Sequence, residues 1–181
     1  MNTIQAPAFQ PLRYIPAEEK EAMLNLTVLW VDAAAHGRLP KGGNHWCFYL
    51  RVSDDRSVRV DISPSYSVPS VVMPGGSKAI MIVSHLPSPV SNSATKVVRL
   101  DVPPGSTTRD FINSIVNAKR HQYEFNAEGQ GCRFWVDHQI TLFESQGFFL
   151  HGSQITEAKN AIRTQYPDQI QYPLVIGSYY P

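Results

Sequence analysis

At 181 residues, with 43% hydrophobic and 17% charged side chains, the chain is the size of one domain that buries roughly two-thirds of its unfolded surface. Sixteen basic residues against fifteen acidic ones leave a formal net charge of +1, which gives no electrostatic basis for binding nucleic acid. The longest uninterrupted apolar runs, Ala79 to Val83 and Trp46 to Leu50, fall far short of the roughly 20 residues that span a bilayer. Fourteen prolines and eleven glycines speak against a plain helical bundle.

Residues 1–16 are Pro-rich and weakly patterned and are expected to form an arm, with residues 17–181 as a single α+β domain. The start lacks a charged residue followed by an apolar stretch, so no secretory signal is visible and a cytoplasmic setting is expected. Pro16 to Met23 begins like a helix, with proline and acids in the first turn. Leu26 to Val31 is β-branched and aromatic enough for a strand, and His36 to Gly43 reads as a glycine-containing loop.

His45 to Val52, a tight turn near Asp55-Arg56, and Ser57 to Ile62 read as a β-hairpin. Alternation places Trp46, Phe48, Leu50, Val52, Val58, Val60 and Ile62 on an apolar face. His45, Cys47, Tyr49, Arg51, Arg59, Asp61 and Ser63 fall on the opposite, polar face. Strands at Ala79–His85 and Thr95–Val102 follow. Ser106-Thr107 caps a predicted helix over Thr108–Lys119, with Phe111, Ile112, Ile115 and Val116 on one stripe. Tyr123 to Phe125 is a short extended piece. Gly129-Gln130-Gly131 opens a second helix from Cys132 to about Gln146, and a third runs over Gln154–Gln165. The pattern is an antiparallel sheet packed against helices.

Two cysteines far apart in the chain form neither a disulfide framework nor a four-thiolate zinc site, and free thiols are expected. Cys132 stands at a helix N-terminus, where unpaired amides and the helix dipole favour a thiolate. The same amides can donate to an oxyanion, and glycine before the cysteine lets the backbone approach a substrate. His45 follows Gly42-Gly43-Asn44 and opens a strand, where an imidazole can take a thiol proton and return it to a leaving group. Each residue alone has a plainer reading: a packed thiol and a strand-end histidine bonded to a carbonyl. Cys47, in a strand interior, lacks amides to activate it. Cys132 and His138 are too far apart on a helix to share a metal. The remaining histidines show no ligand spacing, so neither metal nor cofactor is expected.

The segments Asn44-His45-Trp46-Cys47-Phe48-Tyr49-Leu50 and Gly131-Cys132-Arg133-Phe134-Trp135-Val136, in that order, resemble the circularly permuted papain-like fold. That group includes lecithin:retinol acyltransferase-like enzymes, NlpC-related peptidases and the PPPDE peptidases. More narrowly, the two motifs resemble a family of small fungal proteins. The resemblance implies a Cys132 nucleophile, a His45 base and a third residue that orients the imidazole, on the strand after the histidine, which points to Asp61. Asn44, Trp46, Gln130 and Gly131 are then expected to line the substrate site.

The hairpin itself counts against Asp61. A tight turn at Asp55-Arg56 sets Ser65 opposite His45 and Asp61 opposite Tyr49, about 13 Å away at about 3.3 Å per residue. Ser63 and Ser65 are the substitutes, or the centre is a plain Cys–His dyad. The expected function is cysteine-dependent acyl transfer on a small-molecule or acyl substrate, a metabolite rather than a protein if the fungal setting and a role in secondary metabolism hold. Alternatives are non-covalent cyclisation or isomerisation in the same cleft, and a binding protein without turnover.

Overall fold

The computed structural model describes residues 5–181; the first residues of the expected arm lie outside that range. Strands β1 (Leu12–Ile15), β2 (Trp30–Arg38), β3 (Asn44–Arg51), β4 (Ser57–Pro69), β5 (Ser77–Leu86), β6 (Lys96–Asp101), β7 (Tyr123–Phe125) and β10 (Ser178–Tyr179) form one sheet. Its spatial order is β10-β7-β5-β4-β3-β2-β6. All pairings along that path are antiparallel, and β1 joins β5 in parallel. Helices α1 (Lys20–Leu24), α2 (Thr108–Asn117), α3 (Cys132–Ser145) and α4 (Gly152–Ile162), with a two-strand hairpin of β8 (Thr164–Gln165) and β9 (Ile170–Gln171), complete the α+β architecture. No helix among the described residues is long and apolar enough to cross a membrane.

Alternation along β3 and β4 sorts side chains as the sequence pattern predicts. Trp46, Phe48, Leu50, Val58, Val60 and Ile62 are buried against the apolar stripes of α2, α3 and α4. Phe48 meets Trp135 and Phe143 of α3 with ring centroids 6.2 and 5.8 Å apart, within the range of favourable aromatic contact. The α2 start is a full capping box. Thr107 accepts from the Asp110 amide, and Asp110 accepts from the Thr107 amide at 2.8 Å, satisfying two orphan N–H groups.

The second face of β2 and β3 is also covered. The connection from β5 to β6 has to cross β4, β3 and β2. On the way Val90 packs on Ala34, Cys47 and Tyr49, Ser88 accepts from Ser57 at 2.8 Å and Ser93 bonds His36 at 3.0 Å. Cys47 is therefore a fully buried thiol, distant from solvent, and both cysteines are free.

Several boundaries differ from expectation. The strand expected over Leu26–Val31 begins at Trp30 and runs on to Arg38, through residues read as loop. Its alanines, Ala33 to Ala35, lack strand propensity but sit between two partners, β3 and β6, where small side chains suit close packing. Part of the predicted arm, Leu12–Ile15, is a strand on the edge of β5. The third helix stops at Ile162, and Thr164-Gln165 pairs with β9 instead.

Candidate active site

The β3–β4 hairpin carries a five-residue loop, Val52–Arg56, closed by the Val52 amide donating to the Arg56 carbonyl at 3.1 Å. The tight turn expected at Asp55-Arg56 is absent, and the register moves accordingly. Tyr49 faces Arg59 and Phe48 faces Val60, so continuing the ladder sets Asp61 opposite Cys47 rather than Tyr49. Asp61 thereby becomes the diagonal neighbour of His45 on one face, within reach of a side-chain contact. The objection to Asp61 fails for that reason. Its Oδ1 lies 2.6 Å from His45 Nε2.

The ladder between β3 and β4 ends at Phe48 and Val60, while β4 continues along β5. Even-numbered backbone groups of β3 point toward β4, so the Asn44 carbonyl and the Trp46 amide are left without a strand partner on that side. The N-terminus of α3 fills the gap. Cys132 Sγ stands 3.9 Å from the Asn44 carbonyl, and the Trp46 N–H donates toward the sulfur. The thiol thus caps a broken ladder, beside the first residues of the strand that bears His45.

The His45 imidazole and the Cys132 thiol are near enough that each shifts the charge state of the other. Asp61 occupies Nε2, which leaves Nδ1 as the ring nitrogen outside that bond. Burial alone pushes the imidazole toward its neutral form. The hydrogen bond to Asp61, then the Cys132 thiolate, outweigh it and raise its pKa to about 10. Burial likewise resists ionisation of Cys132, but His45 and the Trp46 amide overcome it and the thiol pKa falls below its ordinary value. Asp61 is held below the usual carboxylate range against burial by His45 and by Arg59, whose Nη2 lies 2.7 Å from the second carboxylate oxygen. Arg59, Asp61 and His45 are joined by these contacts, with the Cys132 thiol next to the imidazole in the order.

Two backbone features make the arrangement fit. Gly131, the α3 N-cap, has φ 148°, a conformation that glycine alone adopts readily. A Cβ there would also meet Tyr123 Oη at 3.1 Å, the hydroxyl that donates to the Gly131 carbonyl at 2.7 Å. The amide at the start of α3 has no helical acceptor and is free to donate. Behind His45, the His36 ring lies 6.2 Å away. Burial and then Arg59 lower the His36 pKa to about 4, so this neighbour is neutral and does not repel the imidazolium.

The other expected site residues divide. Gln130 and Gly131 line a narrow crevice of about 10 Å3 above Cys132, with Leu39, Gly42, Arg133 and Tyr172. Asn44 is fully buried, and its amide is spent inside the protein. It donates to the His36 carbonyl at 2.7 Å and the Tyr166 carbonyl at 3.0 Å, and accepts from the Tyr166 amide at 2.8 Å. Asn44 therefore anchors the start of β3 to the segment after α4 and offers a substrate no free group. Trp46 contributes its backbone amide, while its indole is core. The continued register sets Ser63 opposite His45, but Asp61 rather than Ser63 or Ser65 bonds the ring. Among the described residues, no three His, Cys, Asp or Glu side chains converge as metal ligands do.

Three site residues escaped the sequence reading. Arg59 is on the predicted polar face, as a partner for Asp61 rather than part of a relay. Arg133 is a charge within an apolar helix start, which is the signal that could have singled it out. It is buried and donates to the carbonyls of Ile162 and Tyr172 at 2.8 Å each, and to that of Pro173. Tyr172 carries no local signal, because its place over the site depends on the path of the last ten residues.

Comparison with curated proteins finds no match, and comparison with solved structures finds none. A family model does match, over residues 30–180, and so takes in His45, Asp61, Cys132 and the tyrosine above them. The chain belongs to the family described as a domain of unknown function, DUF7770.

Proposed function

We propose that the protein is a cysteine-dependent acyl-transfer enzyme with Cys132 as nucleophile, His45 as base and then acid, and Asp61 as the residue that orients the imidazole. The observation that carries the reading is the 2.6 Å contact between Asp61 and His45 on a ring that adjoins a thiol at a helix N-terminus. The same order of histidine strand and cysteine helix underlies the resemblance to permuted papain-like enzymes.

In this reaction the Cys132 sulfur forms a bond to an acyl carbon as the bond from that carbon to its leaving group breaks. The thiol proton resides on His45 and passes to the leaving group. The Cys132 amide and the Gln130 side chain at the crevice are the donors for the oxyanion. An acceptor then attacks the thioester, gives its proton to His45 and releases the thiol. Water as acceptor makes the protein a hydrolase; an amine or alcohol makes it an acyltransferase. With p-nitrophenyl acetate as probe, the wild type is expected to release nitrophenol and carry an acetyl group on Cys132 by peptide mass spectrometry. Cys132→Ala is expected to do neither while melting as a folded protein. Full nitrophenol release by that variant would refute the assignment.

One observation favours a second reading. The His45 side chain keeps 21% of its exposure, whereas Cys132 keeps 3%, which suits acid–base chemistry without a covalent adduct. Turnover of a substrate with no mass change on Cys132, surviving Cys132→Ala and lost in His45→Ala, would establish it.

A further inference from the structure

Cys132 lies under a cover. The crevice above it, at about 10 Å3, has room for about one water molecule and no acyl group. Tyr172 is part of its wall and also bounds an open groove of about 560 Å3 formed with Asn160, Arg163, Thr164, Pro173 and Leu174. Tyr172 is the residue that the two walls share, and the larger space is big enough for a small molecule.

The seat of that side chain is built from both catalytic motifs. The Tyr172 hydroxyl donates to the Lys41 carbonyl at 2.9 Å, and the ring lies on the Gly42-Gly43 turn just before His45. A Cβ at Gly42 would stand 2.6 Å from the hydroxyl, so only glycine leaves the ring its place. The Arg133 guanidinium, next to Cys132 in sequence, lies 4.7 Å from the ring centroid and holds the Tyr172 carbonyl. The backbone is thus pinned, while one hydroxyl bond and a cation–π contact hold the side chain, and each is of modest strength.

We infer that Tyr172 is the gate and size filter of the site: its side chain leaves the Gly42-Gly43 seat to join the crevice to the groove, where the remainder of the acyl substrate lies. The inference rests on Cys132 being the nucleophile. Its test reads access rather than turnover.

The rate at which iodoacetamide and the bulkier N-ethylmaleimide label Cys132 is measured in the wild type and in Tyr172→Ala, with the site read by peptide mass spectrometry so that Cys47 is not counted. Both reagents are expected to react faster with the variant, N-ethylmaleimide by about tenfold or more, since reactivity scales with the open fraction. Iodoacetamide gains less, so the size preference of the wild type is lost. An unchanged ratio of the two rates in a folded variant would overturn the gate. Should Tyr172→Ala fail to fold, Tyr172→Leu carries the same comparison, because it keeps an apolar contact with Arg133 and removes the ring. A Cys132 that reacts no faster below pH 8 than an ordinary thiol in either form would overturn the nucleophile instead, while the ratio still reads the gate.

Discussion

At His45 three influences compete. Burial opposes the imidazolium, and Asp61 and the Cys132 thiolate favour it and prevail. Removing the carboxylate tests that balance. Asp61→Asn keeps a side chain of the same shape but loses the charge that faces the ring, and leaves the Arg59 guanidinium uncompensated beside it. The imidazole pKa falls, the thiolate loses its counter-ion, and the pH midpoint of Cys132 alkylation rises by about one unit or more. An unchanged midpoint would make Asp61 a bystander. Arg59→Gln is expected to act in the opposite direction and by a smaller amount, because it removes a cation that opposes the imidazolium and leaves Asp61 to His45, while Arg59 is 31% exposed and screened by solvent.

Stability responds differently from reactivity. The proton that His45 holds is the one Cys132 gives up. Between the ordinary values of about 6.5 for the imidazole and about 8.5 for the thiol, folding therefore takes up no net proton at this pair. Cys132→Ala removes the compensation. His45 still has Asp61, which favours the imidazolium in the folded protein against burial. Its contribution is then fully present below 6.5 and is lost as pH rises. The difference in melting temperature between Cys132→Ala and wild type, followed upward from pH 6, should move against the variant. A pH-independent difference would contradict the ion pair.

Among the elements, β3 and the start of α3 define each other. The ladder to β4 stops where the thiol arrives, and Asn44 fixes the strand end through three hydrogen bonds. Asn44→Ala leaves buried partners unsatisfied and is expected to cost about 1–3 kcal/mol, read as a drop in denaturant midpoint, with slower alkylation of Cys132. Retention of wild-type stability would remove Asn44 from the scaffold. The hairpin faces, the capped α2 and the cysteine at a helix start were legible in the sequence because alternation, capping residues and glycine act over a few neighbours. The loop length was not. A five-residue loop and a tight turn share the same Ser-Asp-Asp-Arg composition, yet the choice decides whether Asp61 faces Tyr49 or lies beside His45.

For the molecule as a whole, an antiparallel sheet packed against helices was readable from pattern, whereas the closing of the site was not. Tyr172 reaches Gly42 and Arg133 because the segment after α4 folds back through β8 and β9, and no local rule encodes that path. The cover explains how a thiol at a helix N-terminus can be both activated and shielded, since exclusion of water strengthens every charge contact beneath it. The pH dependence of Cys132 alkylation by iodoacetamide in the wild-type protein reads the charge state of that thiol directly. An imidazolium–thiolate pair gives a rate that is already half-maximal well below pH 8, and a rate that climbs only near the ordinary thiol value of about 8.5 would contradict it.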